Sequence, residues 1–130
     1  MFVNIDWSRD FDRQLDRLEA DTSERGQRVC RLLTLMLKQL RDLEVAPIED
    51  TAMIKRVRQS KQHQVWRVSH PYREGIALRL IVWFPPDGGT VVLTLFAGEK
   101  AAMGDVFYDS VGTRADQVIE RWLSDMEEQK

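Results

Sequence analysis

The chain has few of the residues that staple small proteins. It holds one cysteine, Cys30, which cannot close an internal disulfide, so packing must hold the fold and a reducing cytoplasm is the expected setting. With four prolines and seven glycines in 130 residues, collagen-like and low-complexity chains are excluded. The longest apolar stretch, Ile81 to Phe84 with its neighbours, falls far short of the ~20 residues that span a bilayer, so no membrane partner is expected. No secretory leader pattern is visible, because Phe2 to Trp7 runs at once into Arg9, Asp10 and Asp12. Phosphate-loop, dinucleotide and zinc-protease motifs are missing. The two histidines, His63 and His70, stand at opposite ends of one strand candidate without a cysteine pair, so neither a metal nor another cofactor is expected and the histidines read as ordinary strand-end residues. No Ser/His/Asp set assembles. Cys30, beside Val29 and Leu33 on the apolar side of a helical pattern, reads as a packed residue rather than a nucleophile.

The composition that remains is 43% hydrophobic and 31% charged, a balance for one globular domain over residues 1–130. A chain of this size buries roughly two-thirds of its unfolded surface. The net charge of −2 conceals an asymmetry. Residues 1–50 carry −3, residues 51–80 carry +6 and residues 81–130 carry −5. One basic segment in an acidic chain suits a localised anion site rather than general coating of DNA; the plainer alternative is a solvated strand face.

Hydrophobic periodicity orders the chain. Phe2 to Trp7 alternates as a short strand. Ser8 then caps a helix carrying Phe11, Leu15 and Leu18, which stops near Asp21. Asp21, Thr22 or Ser23 opens a second helix over about Glu24 to Leu43, with Pro47 beyond it, and the two form an antiparallel hairpin. From Met53 the period becomes two. Strands are expected over Met53 to Arg58, Gln64 to His70, Ile76 to Phe84 and Val91 to Ala97, the last two central because they are apolar on both sides. Gly98 to Gly104 reads as a loop, and a last helix begins at Asp109 or Thr113 with a stripe from Ala115 to Met126. The fold class is α+β: a curved, mostly antiparallel sheet covered on one face by the helical hairpin, plus a C-terminal helix, with the other face free to gather the basic residues.

The residues able to do chemistry are Lys55, Arg56, Arg58, Lys61, Arg67, Arg79, Lys100 and Tyr108. Arg79 interrupts an otherwise apolar central strand from Ile76 to Phe84. A cation there is costly unless compensated. Two readings stand: an ion pair with an acid of the last helix or loop, or a guanidinium facing an open concavity and a phosphate. Arg67, within Val65-Trp66-Arg67-Val68, poses the same question. Tyr108 reads equally as a packing residue beside Val106 and Phe107 or as a proton-transfer group.

The run Ile54-Lys55-Arg56-Val57-Arg58, then Val65-Trp66-Arg67-Val68, then Leu78-Arg79-Leu80-Ile81-Val82-Trp83-Phe84, then Val92 to Lys100, and finally Tyr108, resembles the RelE/ParE superfamily of bacterial toxins. The element order resembles it too. The resemblance implies a RelE-like fold, a type II toxin neutralised by a cognate antitoxin, and contact with DNA only indirectly through that antitoxin. It implies one of two activities: metal-independent endonucleolytic cutting of messenger RNA, on the ribosome or free, or non-catalytic inhibition of DNA gyrase. A toxin-like chain without toxicity, serving only as a binding partner, is a third reading. For the nuclease, Tyr108 would handle the 2′-OH proton and Lys100 would assist the leaving oxygen. Arg67 and Arg79 would grip the scissile phosphate, with Lys55, Arg56, Arg58 and Lys61 along the RNA backbone. The lysine at 100 and the wide gap from there to Tyr108 depart from the RelE pattern.

Overall fold

The computed structural model describes residues 4–43, 47–57, 62–69, 76–86 and 91–128, the side chains of 91 and 99–109 excepted. Polar caps set where the first helices begin. Helix α1 (Arg9–Ala20) opens on Ser8, whose hydroxyl accepts the Phe11 N–H at 3.0 Å, with Asp10 and Asp12 in the positively polarised first turn. Helix α2 (Glu24–Arg41) opens in the same way on Ser23, which accepts the Gly26 N–H. Asp21 closes α1 with its own N–H on Leu18 and accepts the Ser23 N–H, so the connection is a tight hairpin turn. The Asp21 carboxyl group lies close over Gly26, so a methyl group there would push that side chain aside. Helix α2 ends at Arg41 with Asp42 as its cap, two residues short of the expected Leu43.

Five strands make one mixed sheet: β1 (Asn4–Trp7), β2 (Ile54–Arg56), β3 (Val65–Ser69), β4 (Leu78–Trp83) and β5 (Val91–Glu99), in the order β1-β5-β4-β3-β2. Strands β2 to β5 form three antiparallel pairings, and β1 lies parallel to β5. The architecture is α+β, and β4 and β5 are central strands as expected. Beyond the end of β1, side chains of α1 continue the pairing. The Ser8 hydroxyl donates to the Leu95 carbonyl at 2.6 Å, and the Gln14 amide bonds both the N–H (2.8 Å) and the C=O (2.9 Å) of Ala97. An edge that would otherwise present bare polar groups is thereby satisfied.

The sheet separates two cores. On one face Trp66, Val68, Leu80 and Val82 pack with Phe11, Leu33, Met36 and Leu40 of the hairpin. The other face is not left open, contrary to expectation. Helix α3 (Lys100–Glu128) lies on it, burying Val111, Ala115, Val118 and Ile119 against Val65, Ile81, Trp83 and Phe96. The cause is in the strands: β4 and β5 are apolar on both faces and need cover on both. A second correction concerns 98–104. Strand β5 continues through Gly98 to Glu99 and α3 begins at Lys100, so the expected loop is strand and helix and the last helix starts nine residues earlier than Asp109. Ala101, Ala102 and Met103 are strong helix formers, and their propensity outweighs the lone Gly104.

One irregularity changes the faces of β5. Ile81 pairs with Phe96 but Val82 pairs with Thr94, so Leu95 is an extra residue. Leu93, Leu95 and Phe96 all join the α3 core, while Val92 joins the hairpin core. Strict alternation would place Phe96 on the side of Thr94; the bulge re-aims it at α3. Among the described residues no helix is long and apolar enough to cross a membrane.

Candidate functional site

Register shows which cations share a surface. Directly paired residues of antiparallel strands lie on the same face. Lys55 pairs with Arg67, Arg67 with Ile81, and Ile81 with Phe96. One step along, Ser69 pairs with Arg79 and Arg79 with Gly98. Ile81 and Phe96 belong to the α3 core, so Lys55, Arg67 and Arg79 all stand on the α3 face. Arg67 and Arg79 are diagonal neighbours, about 7–8 Å apart at Cα. Both are half-buried, whereas Lys55 is exposed on the edge strand.

Arg79 makes one hydrogen bond among the described residues. Its terminal nitrogen NH1 donates to the Leu78 carbonyl at 3.1 Å, and its Nε is buried without a hydrogen-bond partner. Among the described residues no carboxylate pairs with it. Gly98, opposite it in β5, has no side chain to cover the guanidinium. A half-buried cation with donors to spare attracts an anion.

The remaining expected residues are placed as follows. Arg56 pairs with Trp66, which puts it on the hairpin face, and Asp50 accepts both its N–H (2.9 Å) and its Nε–H (3.2 Å). It does not join Arg67 and Arg79. Arg58 and Lys61 lie outside the described residues. Lys100 is the first residue of α3 and Tyr108 lies within that helix, rather than at its start; their side chains lie outside the described residues. The structure therefore brings together Lys55, Arg67 and Arg79.

A fourth cation, Arg114, escaped the sequence reading. Its guanidinium carbon lies 4.0 Å from the centroid of the Phe96 ring. In the sequence it is simply the residue before the apolar stripe of the last helix, and only the bulge in β5 supplies the ring beneath it. Two acids of α3 bond the segment before β3. Asp116, buried, accepts the N–H groups of Gln62 (3.3 Å) and His63 (3.2 Å), and Glu120 bonds His63 Nε2 at 2.8 Å. His63 packs edge-on to Trp83, itself edge-on to Trp122. This cluster sits at the Val65 end of β3, away from Ser69 and Arg79, and holds the segment before β3 against α3.

Two further concavities are formed among the described residues. A cleft of about 340 Å³ between the β1–α1 corner and α3 holds Trp7, Trp122 and Met126, but its charges are spent in the Arg9–Asp125 (3.0 Å) and Arg121–Asp10 (3.1 Å) ion pairs. A second, of about 430 Å³, adjoins the α1–α2 turn beside Arg17, Arg25 and Asp21. No group of three His, Cys, Asp or Glu among the described residues could hold a metal ion. Chemically, the cationic face can attract an anionic group. Comparison with protein-family models, curated proteins and solved structures finds no match.

Proposed function

We propose that the chain is a type II toxin of the RelE/ParE superfamily that cuts messenger RNA without a metal and is held in check by a cognate antitoxin. The observation that carries this reading is the convergence of Arg67 and Arg79 from neighbouring strands on one face, with Arg79 lacking a carboxylate partner among the described residues. The resemblance in the strand motifs and the α+β element order support it further.

In such a cleavage the 2′-oxygen attacks the adjacent phosphorus and the bond from phosphorus to the 5′-oxygen breaks. One proton leaves the 2′-hydroxyl and another reaches the 5′-oxygen, giving a cyclic phosphate and a free 5′-hydroxyl. The pentacovalent phosphorane between them gathers negative charge on its equatorial oxygens. Guanidinium donors fixed by a sheet stabilise that charge without reorganising, and in a partly desolvated site each is worth more than in water. Arg67 and Arg79 take this role and Lys55 tracks the flanking backbone. The proton transfers fall to Tyr108 and Lys100, each such group contributing about 10²–10⁴-fold. An antitoxin segment bearing acidic and apolar residues would cover the basic stretch over 51–80.

The test is induction of the chain alone in bacteria, with mapping of transcript 5′ ends. Growth arrest with discrete new 5′-hydroxyl ends is expected. Intact transcripts with a DNA-damage response would replace the nuclease by gyrase inhibition, and harmless expression would overturn the toxin reading altogether.

A further inference from the structure

Arg114 is half-buried, and among the described residues its one recorded interaction is with the Phe96 ring. No hydrogen bond or ion pair among those residues uses its five N–H donors. Stacking on a buried ring holds a guanidinium flat and leaves the outward edge of the fork free. The placement is specific. Ile81, fully buried, has Phe96 beside it on β5, Arg67 beside it on β3, and Arg79 two residues along its own strand. Strand spacing of about 4.8 Å puts the Arg67 and Phe96 backbones about 10 Å apart, with Ile81 buried between them, a span within the reach of two arginine side chains. Helix α3 thus brings a guanidinium to the ring beside Ile81, on the face that carries Arg67 and Arg79, and Asp116, Glu120 and Asp125 of α3 are turned to other partners.

We propose that Arg114 is a phosphate-clamping residue: it closes over a phosphodiester of single-stranded RNA from the helix side, opposite Arg67 and Arg79. This rests on the nucleic-acid reading above and adds a contact which the toxin motifs do not contain. The bulge at Leu95 is what makes the clamp, since it turns Phe96 toward α3. Occupancy of the site ties α3 to the sheet through the shared anion.

The experiment titrates the full chain with a fluorescent single-stranded 2′-O-methyl oligoribonucleotide, which keeps RNA geometry but lacks the attacking hydroxyl, across a salt series. Loss of a charge-assisted phosphate contact in Arg114→Gln is expected to weaken binding about tenfold and to lower the salt slope by about 0.7. Arg114→Lys keeps the charge but loses the flat fork, so it should keep the wild-type slope while binding more weakly. Equal affinity and slope for wild type and a folded Arg114→Gln overturn the clamp and leave the nucleic-acid reading intact. Failure of the wild-type chain to bind the oligonucleotide overturns both. Should Arg114→Gln melt below the assay temperature, Arg114→Lys decides: weaker binding with an unchanged slope supports the clamp, and unchanged binding overturns it.

Discussion

Single side chains carry two opposed duties in this protein. Arg79 sits half-buried with its Nε unbonded and no described carboxylate paired with it, an arrangement that costs folding free energy and that an anion would offset. Replacing it by an apolar residue of similar length should therefore separate stability from activity. Arg79→Met is expected to raise stability by about 1 kcal/mol in denaturant unfolding while cutting the proposed RNA cleavage by about 10²-fold. A loss of ~3–5 kcal/mol instead would mean that a buried ion pair had been broken. Gln14 is the opposite case, a residue whose work is structural. Gln14→Ala strips both backbone groups of Ala97 of their partners and should cost about 1–2 kcal/mol, read from the urea midpoint. Asp21 supplies a pH signature. Hydrogen bonds from the Ser23 side chain first, and from its backbone second, hold the Asp21 carboxyl below its ordinary value of 3.8. A depressed carboxyl stabilises the fold above its unfolded value and loses that contribution as pH falls through the folded value. The difference in melting temperature between wild type and Asp21→Ala should accordingly be steady near neutrality and shrink on acidification below about 3.8.

Helices and strands show where local pattern is enough and where it fails. The starts of α1 and α2 were legible because Ser8 and Ser23 precede amphipathic stripes, and those caps are chemical and local. The start of α3 was not legible, since Gly98 and Gly104 read as punctuation although the backbone between them is already committed to strand and then helix. The bulge in β5 was invisible for a different reason: it is a mismatch between two strands and has no signature within one. Helix α3 is fastened to the rest of the molecule through its apolar stripe, through Asp116 and through the ion pairs of Arg121 and Asp125. Ile119→Ala, at a fully buried position, should cost about 2–5 kcal/mol, against almost nothing for the exposed Met126→Ala. Asp116→Ala orphans the N–H groups of Gln62 and His63 and should cost ~1–3 kcal/mol, with faster amide exchange at those two positions, whereas Asp116→Asn keeps one acceptor and costs less.

Taken whole, the molecule is a sheet with a helical cover on each face, and its proposed activity depends on a cationic strip that survives beside the second cover. Arg67→Gln and Arg79→Gln should each abolish growth arrest on induction, with protein levels equal by immunoblot, while Arg56→Gln, on the far face and bonded to Asp50, should have a much smaller effect. Composition and periodicity were sufficient for the α+β class, the order of elements and the centrality of β4 and β5, because each depends on neighbours within a few residues along the chain. They were silent on whether Arg67 and Arg79 share a face, on which side α3 would settle, and on Arg114. Those outcomes depend on register between strands, on an extra residue at Leu95, and on a helix docking from the other end of the chain. Contacts between residues distant in sequence become physical only when the sheet has formed, and for that reason the guanidiniums around Ile81 could be counted one by one beforehand but not gathered into a site.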